Sequence, residues 1–179
     1  MGKIKLEVLI SAVDKNAAEL IPQMHIATDA VLVNQCGRYG YETIAVQGGS
    51  VKCFSMPERG VGLSRNTALL HASGDVTLFS DEDIILTSDY GEKIRRAYES
   101  LPDADLILFN VEVGASRRTY WNREIRRITY RNYGRYPAYS ISARLDALRR
   151  ANVHYSLLFG GGAKYSNGED SLFLRDCLK

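Results

Sequence analysis

Three groups of residues in this 179-residue chain carry chemistry by their types and spacing. The first is a turn rich in glycine and arginine, Arg59-Gly60-Val61-Gly62-Leu63-Ser64-Arg65. Gly60 and Gly62 permit backbone angles closed to other residues and let a ligand approach closely. Ser64 can cap the helix that follows, whose N-terminus favours anions. Arg59 and Arg65 can pair with phosphate oxygens. The second group is the acidic run Asp81-Glu82-Asp83, which ends an apolar stretch. In an extended segment Asp81 and Asp83 point one way and Glu82 the other. Two carboxylates on one side can hold a hard divalent cation, and a diphosphate can supply further oxygens. The third is Gly168-Glu169-Asp170, after a glycine-rich loop. One of these acids can act as a general base toward a hydroxyl. Each group also has a plainer reading: a strand–helix turn with surface arginines, a solvated acidic turn, and a helix start whose acids complement the dipole.

The surrounding pattern supplies elements to position these groups. Leu6 to Val13 and Asp29 to Asn34 read as buried strands, with a turn or N-cap at 14–16 between them. A helix over Ala17 to Ile26 must accommodate Pro22 near its first turn or bend there. Residues 37–40 read as a loop, and Glu42 to Val46 and Val51 to Ser55 as two short strands about Gly48-Gly49. Ser64 to Ser73 is helical, with Gly74 placed as its C′ residue. Val76 to Phe79 is a strand leading into the acids, Tyr90 to Leu101 an amphipathic helix, and Asp105 to Val113 a core strand. Residues 114–139 are basic and tyrosine-rich without a clear period. A short strand at Ile141 to Ala143, a helix at Arg144 to Ala151, a flexible loop at Gly160-Gly161-Gly162 and a last helix at Ser171 to Leu178 complete the reading. Alternating strands and helices, with strands apolar on both faces, argue for an α/β fold with a mainly parallel sheet covered by helices.

The bulk numbers fit one globular domain: 45% hydrophobic and 25% charged residues. A net charge of +2 argues against a nucleic-acid partner, although Arg117 to Arg135 carries seven arginines against the single acid Glu124. Three scattered cysteines (Cys36, Cys53, Cys177) suit a reducing compartment better than a disulfide framework. No apolar run approaches the ~18 residues of a membrane span, and the first residues do not open a secretory signal. The expected location is the cytoplasm, with a peripheral contact at the inner face of the membrane through 117–139 as an option. Trp121 and the tyrosines of that stretch could stack on a sugar, meet a lipid-linked acceptor, or form a homo-oligomer contact. The chain stops on what should be a helix, which raises the expectation of a missing C-terminal part.

Arg59-Gly60-x-Gly62-x-Ser64-Arg65-Asn66, then Ala72-Ser73-Gly74-Asp75, then Phe79-Ser80-Asp81-Glu82-Asp83, resembles the central block of the family 2 glycosyltransferases of GT-A fold. Gly168-Glu169-Asp170 sits where that family places its acidic pair, so the resemblance covers nearly the whole chain. It implies a mixed, mainly parallel sheet flanked by helices, with a Rossmann-like nucleotide-binding half (1–113) and an acceptor half (114–179). It implies a nucleotide-diphospho-sugar donor, usually a UDP-sugar, and a saccharide or lipid-linked acceptor hydroxyl, as in surface polysaccharide synthesis. Ser11, Ala12 and Asp14 would line the nucleoside site, and Asn34 and Gln35 would lie beside the base. Arg65, with Arg59, Gly62 and Glu82 nearby, would approach the nucleotide. Asp81 and Asp83 would hold Mn2+ or Mg2+ on the diphosphate. Asp170 is the first choice for catalytic base of an inverting transfer, and Glu169 the second. The first strand ends Ser11-Ala12-Val13-Asp14 where the family has Pro-Thr-Tyr-Asn, and Asn34-Gln35 stands where an acid is common.

Two other classes fit part of the pattern. One is a non-catalytic member that binds a nucleotide sugar or glycan. The other is an NAD-dependent oxidoreductase, because Gly60-x-Gly62-x-x-Arg65 approaches the dinucleotide fingerprint. Its third glycine is Arg65, and two strands precede the turn. His25, His71 and His154 read as packing or surface residues, with His154 the nearest of them to the acceptor side.

Overall fold

The computed structural model describes residues 3–113 and 120–179. Arg117, Arg118 and Thr119, the start of the expected membrane-contact stretch, lie outside the described residues. In chain order the elements are β1 (Leu6–Val13), α1 (Ala17–Gln23), β2 (Asp29–Gln35), β3 (Gly40–Val46), β4 (Gly49–Met56), α2 (Val61–His71), β5 (Val76–Asp81), α3 (Tyr90–Ser100) and β6 (Leu106–Leu108). A 3-10 turn (Ala138–Ser140), β7 (Ile141–Arg144), α4 (Leu145–Arg150) and α5 (Glu169–Cys177) follow.

One sheet joins all of these strands in the order β3-β4-β2-β1-β5-β7-β6. The four central strands, β4, β2, β1 and β5, are parallel. β3 adds to one side as an antiparallel hairpin with β4, and β7 and β6 add antiparallel on the other. β1 and β2 are buried on both faces, as near-continuous apolar runs in a central parallel position must be. Alternate side chains divide between two cores. Val8, Ile10, Leu32 and Leu78 face α1 and α3 with Leu20, Ile94 and Tyr98. Leu9, Val31, Val33 and Phe79 face α2, α4 and α5 with Leu69, Leu148 and Phe173.

The structure departs from the sequence reading at several boundaries. α2 starts at Val61, so Ser64 is not its cap but a buried residue within its first turns. The entry is made by Gly60, at φ 139°, a conformation open to glycine. Gly74 is not a C′ residue either, since α2 ends at His71 and Ala72 is already extended. A Cβ on Gly74 would lie 2.9 Å from that of Glu7, so the position keeps room for β1 to pass. The Glu7 carboxylate accepts from the amides of Ser73 and Gly74 and pairs with Lys52 at 3.0 Å, which accounts for a carboxylate with no exposure. Pro22 falls in the last turn of α1, whose start is capped by the Asn16 side chain. β6 holds three residues instead of nine, because its partner β7 begins only at Ile141 and the 3-10 turn occupies the preceding register. Residues 160–162, expected as a free loop, are tied down: Gly161 O accepts from Val61 N at 2.9 Å, and Gly160 N donates to Tyr165 O at 2.8 Å.

Candidate active site

The register brings the carboxyl ends of the parallel strands to one level. Ser11 pairs with both Val33 and Asp81, Ala12 with Asn34, Val13 with Gln35, and Asn34 with Ser55. Ligands of open α/β sheets bind at such strand ends. The polar side chains there hold the loops in place. Ser11 Oγ donates to Ser64 Oγ at 2.8 Å. Gln35 Oε1 accepts from Gly60 N at 2.7 Å, which fixes the glycine turn against β2. Asn34 exchanges two hydrogen bonds with the Lys15 backbone, at 2.7 and 3.1 Å. Arg59 closes over this corner with both Asp14 oxygens, at 2.9 and 3.1 Å. Gly62 serves protein packing: a Cβ there would lie 2.3 Å from Ser156 O.

Arg65 is the centre of the site. It points from α2 beneath the strand ends and is 5% exposed. Its Nη2 donates to Asp81 Oδ1 at 2.9 Å, and its Nη1 donates to Asp170 Oδ1 at 2.8 Å and Glu169 Oε1 at 3.3 Å. The planar fork of a guanidinium suits this bridging, whereas an ammonium would not reach in two directions. The guanidinium carbon lies 5.1 Å from the centre of the Tyr155 ring, which stacks on Phe173 at 4.2 Å. Burial opposes the charge of Arg65, but its interactions with Tyr155, Asp81 and Asp170 outweigh that, and its pKa is raised. One buried cation therefore ties the end of β5 to the start of α5, and three carboxylates surround it.

β5 ends at Asp81, so Glu82 and Asp83 lie in a turn and the extended alternation expected across the acidic run does not hold. Glu82 turns back to accept from Val13 N at 2.6 Å and to pair with Lys15 at 3.1 Å, so it braces the end of β1. Asp83 is exposed, and Asp81 is partly so. Tyr139 feels the field of the remaining acids. Burial raises its phenol pKa first, and the charges of Asp81, Asp83 and Asp170 raise it further. Among the described residues, no three His, Cys, Asp or Glu side chains gather closely enough to hold a metal ion alone. Arg65 engages only Oδ1 of Asp81, at the end of β5, and Asp83 follows in the exposed turn; carboxylate oxygens of this kind are the ligands a hard cation takes when a diphosphate and water supply the rest.

The two acids of α5 differ in surroundings. Gly168, at φ 102°, admits the chain to the helix. Glu169 rests on Gly160, where an added Cβ would come 2.9 Å from its carboxyl carbon. Asp170 Oδ2 accepts from Ala138 N at 3.0 Å. Its pKa is pushed up to about 6: burial is the largest cause, Arg65 lowers it, and Glu169 and Asp81 raise it again. A carboxylate that exchanges its proton near neutrality is suited to general-base work.

The structure thus brings Arg65, Asp81, Glu169 and Asp170 together, and pairs Arg59 with Asp14 beside Gln35 and Gly60. Tyr155 is an addition the sequence does not single out, because it precedes a loop and carries no local signal. Tyr139 belongs to the tyrosine-rich stretch from which the sequence suggests a sugar-stacking ring. His154 is exposed and pairs with Asn152, while His71 stacks on Phe54.

The model of glycosyl transferase family 2 matches residues 11–156 of the chain. No curated protein matches. Among solved structures, S. aureus TarS 1-349 in complex with UDP superposes with a TM-score of 0.67 at 14% identity, over 98% of this chain and 55% of that one. Its complex with UDP-GlcNAc gives 0.66 at 18% identity, over 98% and 53%. TarS 1-349 in a third structure gives 0.62 at 16% identity, over 98% and 55%. The chain spans about half the length of these proteins, and the likeness shows a shared fold. With the family model covering most of its length, the chain belongs to glycosyltransferase family 2.

Proposed function

We propose that the protein is an inverting glycosyltransferase that moves a sugar from a UDP-sugar to a hydroxyl of a saccharide or lipid-linked acceptor. The observation that carries this reading is the convergence of Asp81 and Asp170 on Arg65 at the ends of the parallel strands. The nucleotide would lie over β1 and β2, beside Ser11, Ala12, Asp14, Asn34 and Gln35. TarS, of the same fold, has been solved with UDP and with UDP-GlcNAc, which favours uridine in this place. Asp83 and Asp81 would hold Mn2+ or Mg2+, which would offset the charge of the diphosphate as it departs. Asp170 accepts the acceptor hydroxyl proton as the new oxygen–carbon bond forms on the face opposite the breaking one, and UDP leaves. Arg65 keeps Asp170 oriented and Asp81 in register. A lipid-linked acceptor would place the protein at the inner face of the membrane; no helix among the described residues is long and apolar enough to cross it.

Isothermal titration of UDP with and without Mn2+ tests the donor site. The intact protein should bind UDP more tightly with Mn2+, Asp83→Ala should lose that gain, and NAD should not bind. A Mn2+ gain that persists in full in Asp83→Ala, or no gain in the intact protein, would remove the cation from the reading. Tight NAD binding would favour the dinucleotide alternative.

A further inference from the structure

On the far side of the sheet from the β3–β4 hairpin, β6 is the last strand. Beside it runs a groove of about 700 Å3 between the strand, residues 122–128 and the end of α5. Its walls include Leu106, Leu108, Ile125, Ile128, Leu174 and Leu178. Arg123, Arg126 and Arg127 also line it, all three exposed, and none forms an ion pair among the described residues. Between these arginines stands Ile125, 85% exposed. A bare branched aliphatic side chain among three cations that form no ion pair among the described residues, with Glu124 the one acid between them, above an apolar trough, is a surface with two complementary demands.

We propose that this face docks on an anionic phospholipid bilayer, with Arg123, Arg126 and Arg127 on lipid phosphates and Ile125 inserted among the upper acyl carbons. The partner is set by the pairing of charge and apolar surface. Basic residues near an anionic membrane each add to binding, and apolar side chains between them add the part that salt does not screen. A nucleic acid would meet the same cations but find a trough of Leu and Ile with few groups for its bases or sugars. With a net charge of only +2, the whole chain offers no general attraction to polyanions, so the attraction belongs to this face.

The position of the face gives the contact a use, and in this the inference deepens the acceptor side of the proposed reaction. Asn122, at one end of the groove, exchanges hydrogen bonds with Asn110 at 2.8 and 3.0 Å. Its amide also donates to Tyr136 Oη at 2.9 Å. Two residues further along the chain, Ala138 N holds Asp170. Through Asn122 and Tyr136 the wall of the groove is thus joined to the segment that positions the proposed base, and the head of a lipid-linked acceptor would arrive on this side.

The test is co-sedimentation of the whole chain, without donor, on vesicles of phosphatidylglycerol mixed with phosphatidylcholine and on vesicles of phosphatidylcholine alone. The protein should bind the anionic vesicles, lose binding as salt rises, and ignore the neutral ones. The double variant R126E/R127E should lower binding by about tenfold or more, in keeping with the contribution of each basic residue near an anionic surface. I125S should weaken it with little change in salt dependence. Both should keep the wild-type thermal midpoint and UDP titration, since they lie outside the donor site. Equal sedimentation of wild type and R126E/R127E would overturn the proposal, as would binding to polyglutamate in preference to vesicles. Failure of UDP to bind would sink the transferase reading and leave the sedimentation result to stand by itself.

Discussion

Arg65 holds three carboxylates, so its replacement acts through what it leaves behind. Arg65→Leu would keep the volume roughly but leave Asp81, Glu169 and Asp170 facing one another without a cation. Breaking one side of a buried ionic cluster costs about 3–5 kcal/mol, and the partial exposure of Asp81 places the expectation near about 3. Urea denaturation would read this as a clear fall in midpoint, with Arg65→Lys intermediate because its ammonium cannot reach both sides. Asp170 gives a second, pH-dependent expectation. Its folded pKa of about 6 lies above its unfolded value, so the folded state holds the proton more tightly. Stability from this group is therefore fully present in acid, declines as pH rises from about 4 to about 6, and is level above that. Transfer should run the other way, rising as Asp170 ionises through about 6. Asp170→Asn should remove both slopes, bind UDP normally, and slow transfer by about a hundredfold or more. Full transfer in that variant would pass the base role to Glu169 or to another group.

Elements place these residues, and the joins between elements are the least forgiving points. The first turn of α2 lies directly against Ser156, and Gly62 is the residue that lets it do so. In Gly62→Ala the new methyl would meet a backbone oxygen at 2.3 Å, which neither neighbour can avoid by rotating a side chain. The expected loss is about 1–3 kcal/mol, seen in thermal unfolding, together with weaker UDP binding as the turn at 59–62 shifts. A neutral effect would mean that the 153–156 segment yields freely. The same joins explain how much was legible beforehand. β1, β2 and β5 were readable because a strand buried on both faces has few polar residues to obscure it. The acids followed from the strand, and the bend at Gly60 from its glycine. The local sequence suggests a cap at Ser64 and a helix terminator at Gly74, but their places depend on Ser11 and Glu7, more than fifty residues away. The bond from Arg65 to Asp170 spans 105 residues, and no local pattern carries such a link.

At the scale of the whole molecule, protection and exposure are unevenly spread. β1 and β2 are flanked by parallel neighbours and covered on both faces, while β3 is an exposed edge and residues 120–137 form no strand or helix. Opening free energies range from near zero in such segments to the full unfolding value in central strands. In hydrogen exchange read by mass spectrometry, the amides of 120–137 should therefore exchange first, those of β3 next, and those of β1 and β2 only through global unfolding. UDP with Mn2+ should then slow exchange at 59–62 and 81–83, and at the ends of β1 and β2, because ligand binding to the folded state raises the cost of opening there. The turn at Gly48-Gly49 sits at the opposite end of the sheet from these strand ends and should be unchanged. Protection that rose equally at both ends would point to a general tightening of the fold, and protection confined to the 48–49 end would move the donor away from Asp81 altogether.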